Sequence, residues 1–143
     1  MIKFNTIGAI EHLYAFEDAV VDTTVFNGDF GTVTNGKFAP AAAANKAIMQ
    51  IEEGDDAGMP EYKITAGSRV RVLDLAKLNG KTIEVYGAQL PSTFIKGDKL
   101  VSDVTGKLVV TNGTQEAPTA APYLEVTKII GNKLGIEATV ITE

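Results

Sequence analysis

Glycine and asparagine interrupt this chain so often that little room is left for helix. Asn27-Gly28, Asn35-Gly36, Asn79-Gly80, Asn112-Gly113 and Gly131-Asn132 all fall within 143 residues. These are the residues that best tolerate the positive φ demanded by a two-residue hairpin turn. The segments between them are short and rich in Val, Ile, Thr, Tyr and Phe. Lys81-Thr82-Ile83-Glu84-Val85-Tyr86 alternates polar and apolar side chains, as a half-buried strand does. The last segment alternates too, with Leu134, Ile136, Ala138 and Val140 on one face and Gly135, Glu137, Thr139 and Ile141 on the other. With Val126 to Ile130 ahead of Gly131-Asn132, it predicts a C-terminal hairpin. The fold class expected is all-β.

Two segments resist that pattern. Ile7, Ile10, Leu13, Tyr14 and Phe16 follow spacings that a helix can use, yet Gly8 and the β-branched run after Val20 weaken a helix there. A short helix, a strand and an extended arm all stay open for residues 7–21. Ala39-Pro40-Ala41-Ala42-Ala43-Ala44 has high helix propensity after its proline but is short, so one helical turn or a crossing loop is expected. Residues 52–60 form an acidic, glycine-containing loop, and Thr114 to Pro122 form a second polar loop. The first divides an N-terminal extension or arm, about 1–55, from a β-rich body, about 60–143. Fifty-five residues without cysteine or metal are marginal alone, so one cooperative unit is expected.

The chain is long enough for one domain that buries roughly two-thirds of its unfolded surface. No apolar run approaches the roughly 20 residues that span a bilayer as a helix, so no membrane partner is expected. Met1-Ile2-Lys3-Phe4-Asn5 has neither the basic region nor the apolar core of a secretory signal, and a mature start is expected there. Without cysteine there are no disulfides or thiolate metal sites, which fits synthesis in a reducing cytoplasm. A net charge of −5 argues against a nucleic-acid groove, which needs clustered cations. Arg69 and Arg71 sit close together and would share one solvated strand face.

Reactive constellations are weak. Glu52, Glu53, Asp55 and Asp56 offer oxygen ligands of the kind calcium takes, but Glu61 comes too soon to fill the distant bidentate place, so a solvated loop is expected. His12, the single histidine, cannot make a two-histidine metal site and has no serine or cysteine nucleophile in a recognisable frame. Gly28 to Gly36 has no lysine placed as in a phosphate loop. A small β-barrel hydrolase would need carboxylates converging in a pocket, which no spacing here marks. The expectation is a protein that is not an enzyme and uses no cofactor or metal. One apolar stripe, Phe4, Ile7, Leu13, Tyr14 and Phe16, either closes the domain's own core or reaches a partner and orders on binding.

The richest motif runs from Ile95 to Leu108. Ile95-Lys96-Gly97-Asp98-Lys99-Leu100 is a Gly-Asp turn leading into an apolar strand, and Asp103-Val104-Thr105-Gly106-Lys107-Leu108 is a second turn with its strand. A looser copy runs from Asn27-Gly28-Asp29-Phe30 through Val33 to Asn35-Gly36-Lys37-Phe38. With the closing Gly135-Ile136-Glu137-Ala138-Thr139-Val140, this rhythm over about 60–143 resembles the bacteriophage capsid cement, or head decoration, proteins. The resemblance implies a compact β-barrel, β-tulip or small sandwich core with short hairpins. It also implies an N-terminal segment that orders on the capsid, and self-association as trimers. Its partner would be the major capsid protein, its place the capsid surface of the virion, and its role to bind and stabilise the assembled shell. The N-terminal portion departs from the family's plain Gly/Pro/Thr-rich arm. The rival reading is a receptor- or carbohydrate-binding module of a phage fibre or tail, although exposed aromatic platforms are scarce and tryptophan is absent.

Overall fold

The structure, a computed structural model, describes residues 1–4, 15–49, 62–111 and 122–143. Five strands close a barrel: β2 (Phe16–Val21), β4 (Phe30–Thr34), β5 (Lys37–Pro40), β6 (Lys46–Ile48) and β8 (Arg69–Asp74), in the order β2-β5-β4-β6-β8. Six more make a sheet ordered β1-β9-β13-β12-β10-β11. They are β1 (Ile2–Phe4), β9 (Thr82–Tyr86), β10 (Lys99–Ser102), β11 (Leu108–Val110), β12 (Tyr123–Ile130) and β13 (Gly135–Ile141). β3 (Val25–Phe26) and β7 (Lys63–Ile64) pair separately. Among the described residues the helical elements are three-residue 3-10 turns, so the all-β expectation holds, with a closed barrel at its centre.

Alternation along the strands produces two cores. Val70 and Val72 of β8 point into the barrel with Ala19, Val21, Val25, Phe38, Ile48 and Ile64. Leu73, one residue on, faces outward, where the six-stranded sheet covers it. It joins Phe30, Ala47 and Met49 from the barrel wall against Ile83, Val85, Leu100, Leu124, Ile136, Ala138 and Val140 from the sheet. Period-2 patterning thus lets one strand feed both cores.

The barrel is built from both sides of the acidic stretch in sequence. Four barrel strands precede it, the fifth follows it, and β1 lies in the six-stranded sheet beside β9. Residues 16–48 therefore supply four of the five barrel strands, with β3 between them paired to β7, rather than an arm. The stretch from Phe16 to Val21, open between helix, strand and arm, is strand β2, held along its length by β8. The alanine-rich stretch is a loop: Ala39 and Pro40 finish β5, and the Ala43 amide donates to the Ser102 carbonyl at 2.9 Å.

The turn signals mark turns wherever they are described; Asn112-Gly113 lies outside the described residues. Asn35-Gly36 joins β4 to β5 with φ of 53° and 75°, the double positive φ of a type I′ turn. The C-terminal hairpin forms as expected, with a register shift between Val126 and Lys128. Leu134 is the exception: it sits in the β12–β13 turn and is 71% exposed, while Ile136, Ala138 and Val140 are buried. The turn uses the residue that strand alternation alone would assign to the core.

Candidate interaction surface

The two copies of the turn motif meet in space. The Phe26–Asp29 turn is closed by the Asp29 amide donating to the Phe26 carbonyl at 3.1 Å. It carries Asp29, only 3% exposed, against the β10–β11 turn, where Lys107 Nζ lies 2.6 Å from Asp29 Oδ1. The Phe30 amide donates to the Gly106 carbonyl at 2.9 Å. Asp29 Oδ2 accepts the Phe26 amide at 2.9 Å, and the fully buried Gln89 donates from Nε2 to Asp29 Oδ1 at 3.3 Å. A buried carboxylate is tolerable because a cation and hydrogen-bond donors surround it.

Gln89 also ties in the start of β1. The Met1 α-amine donates to Gln89 Oε1 at 2.7 Å and to the Tyr86 carbonyl at 2.9 Å. Burial pushes that amine down from 8.0 to about 5, with Asp29 pulling the other way and Lys107 adding to the fall. A neutral amine has two N–H donors, which matches the two acceptors present. A Cβ on Gly28 would lie 2.5 Å from the Met1 nitrogen and 3.2 Å from Gln89 Cδ, and Gly28 holds φ at +98°. Only glycine fits that position.

The outer face of the six-stranded sheet presents registered rows of side chains. Lys3, Glu84, Glu137 and Lys128 stand opposite one another across β1, β9, β13 and β12. In the next row Lys99 reaches Glu125 at 3.5 Å, and Thr139 and Thr82 continue it. The last row is apolar. Val109 pairs with Val101, Tyr123 pairs with Ile141, and the Leu100–Leu124 register brings Val101 alongside Tyr123. Their strand neighbours Leu108, Leu100, Leu124 and Val140 point inward and are buried, so this row points outward, with Val109 38% exposed. Across the same face, burial first and then the hydrogen bond to Glu84 at 3.0 Å raise the Tyr86 phenol, helped by the charges of Glu84 and Glu137.

No family model and no curated protein matches this chain. An apolar row with charged and threonine side chains along one side can bind a complementary surface that is itself apolar with a polar margin.

Of the predicted stripe, Phe4 and Phe16 come together, their rings edge to face with centroids 5.8 Å apart. Both are half-buried and pack on the core shared by sheet and barrel. Ile7, Leu13 and Tyr14 lie outside the described residues, as do His12 and the acidic loop 52–56. Arg69 and Arg71 share a face of β8 as expected, and the Arg71 guanidinium stacks 3.7 Å from the centre of the Phe16 ring. Among the described residues no group of three or more His, Cys, Asp or Glu side chains is placed to hold a metal. No described helix is long and apolar enough to cross a membrane.

Sequence reasoning missed the outer-face row. Val101, Val109, Tyr123 and Ile141 each sit next in sequence to a buried residue, but which strands lie side by side depends on pairings between distant segments. It also misses the Asp29–Lys107 contact, although each residue lies in one of the two turn motifs. The available signal was a Gly-Asp and a Gly-Lys of opposite charge in two copies of one rhythm.

Proposed function

We propose that this protein is a non-enzymatic virion component that binds the outer surface of an assembled phage capsid and stabilises it. The observation that carries the proposal is the outward apolar row of Val101, Val109, Tyr123 and Ile141, flanked by registered charges on one sheet face. The resemblance of residues 60–143 to capsid cement proteins supplies the partner, the major capsid protein. Such a role needs no chemistry. A protein that binds the assembled lattice and not the free subunits shifts assembly by mass action. Many copies repeated over a symmetric shell sum weak contacts into large collective stability. A net charge of −5 favours solubility before docking.

The test is sedimentation of phage heads lacking decoration with the purified protein, followed by heating and dilution into low salt. Heads are expected to carry the protein down and to survive longer, and Val109→Asp with Tyr123→Asp is expected to abolish both effects while the fold persists. Heads that neither retain the protein nor gain resistance overturn the proposal.

A further inference from the structure

We propose that the Asn27–Phe30 turn is a guard that keeps the two edge strands of the six-stranded sheet from pairing with a second copy of the chain. β1 and β11 are the two ends of that sheet. An edge strand is a template for intermolecular pairing, and proteins blunt it in several ways at once; β1 and β11 are kept to three residues each, and the turn restrains their ends as well. The Asp103 amide donates to the Lys107 carbonyl, and the Thr111 amide to the Lys99 carbonyl, so Lys107, Val109 and Thr111 direct their backbone groups toward β10. By alternation, Leu108 and Val110 direct theirs away from it. The edge they form is apolar, with Val109 standing on its outer face.

One turn from the barrel reaches both edges at their starts. Gly28 packs against the Met1 nitrogen at the head of β1, at a distance that leaves no room for a Cβ. Two residues on, Phe30 bonds Gly106, and Asp29 bonds Lys107, at the head of β11. Gly106 itself has no space for a side chain, since a Cβ there would lie 2.6 Å from the Phe30 carbonyl oxygen. Gln89 bridges the two ends by contacting both Met1 and Asp29. A buried ion pair adds little net stability but makes the loss of one partner costly, which suits a device for specificity. The arrangement concentrates two glycine contacts, an ion pair and a buried amide at the two ends of the six-stranded sheet.

The experiment compares Asp29→Asn, which keeps the side-chain shape and removes the charge, with Lys46→Met. Lys46 bridges Glu17 and Asp74 at 2.9 and 3.0 Å on the barrel wall and touches neither edge. Native-state hydrogen exchange and light scattering across a concentration series are the readouts. Asp29→Asn is expected to speed exchange in residues 2–4 and 108–110 by at least about tenfold relative to residues 69–74. It is also expected to gain mass with concentration beyond the unaltered chain, while Lys46→Met does neither. An even rise over all strands, no rise at the edges, or an unchanged mass overturns the proposal. If Asp29→Asn does not fold, Gly28→Ala provides the same two readouts; if neither folds, the turn holds the whole fold rather than guarding its edges, and the proposal fails.

Discussion

Replacing Gly28 by alanine tests the junction between barrel and sheet more sharply than any charge substitution. Two penalties combine there. Gly28 holds φ at +98°, and a non-glycine residue at positive φ costs about 1–2 kcal/mol. The added methyl would also lie 2.5 Å from the Met1 nitrogen and 3.0 Å from its Cα, so β1 must move, at the roughly 1–3 kcal/mol typical of overpacking. Gly36 isolates the first penalty, because its φ is +75° and nothing lies within 4 Å of its would-be Cβ. Gly36→Ala should therefore cost about 1–2 kcal/mol and Gly28→Ala about 2–5 kcal/mol. For a chain of this length 1 kcal/mol corresponds to roughly 3 °C in Tm. Urea titration and calorimetry on both variants give the comparison. Equal losses would refute the close approach of the turn to β1.

Further expectations follow from the same contacts. Leu73→Ala removes a fully buried side chain between barrel and sheet and should cost about 2–5 kcal/mol in urea unfolding. Phe38→Ala in the barrel and Ile136→Ala in the sheet should each shift one cooperative transition, with near- and far-ultraviolet dichroism coincident; two separated transitions would show that the cores unfold independently. With a free amine at Met1, lowered from 8.0 to about 5 in the fold, the unfolded chain binds the extra proton between those values. The amine's contribution is thus full above pH 8 and is lost as pH falls toward 5, so the urea midpoint should rise from pH 5.5 to 8 in a His12→Gln background that removes the one histidine. Asp103→Ala should loosen the β10–β11 turn by about 1–2 kcal/mol, since Asp103 Oδ1 accepts from the Thr105 amide, the Thr105 hydroxyl and the Lys107 amide. The Thr105 hydroxyl bond leads in lowering that carboxyl, so its contribution should disappear only as pH falls below the ordinary aspartate value.

The local parts of this fold are legible in the sequence because their causes are local. Asn35-Gly36 marks a hairpin since only such residues accept two positive φ values in succession, and Thr82 to Tyr86 shows its buried face by simple alternation. What stays hidden is the pairing of distant strands. Nothing near Phe16 says that it lies opposite Leu73, and nothing near Lys3 says that it lies opposite Glu84. Leu73 illustrates the limit: its apolarity marks it as buried, but not that it leaves the barrel to meet another sheet. The candidate surface inherits that limit, because Val109 and Tyr123 become neighbours only through β10. Lys46 does so as well. Burial alone would lower its ammonium, yet hydrogen bonds and charge from Glu17 and Asp74 on two other strands raise it overall.

Cryo-electron microscopy of phage heads lacking decoration, after addition of the purified chain, tests the proposed role most directly. The expected result is density at repeating lattice positions, with the outer face of the six-stranded sheet, at Val101, Val109, Tyr123 and Ile141, turned toward the shell. Bare heads at saturating protein would contradict capsid binding, and density docked through another face would contradict the assigned surface.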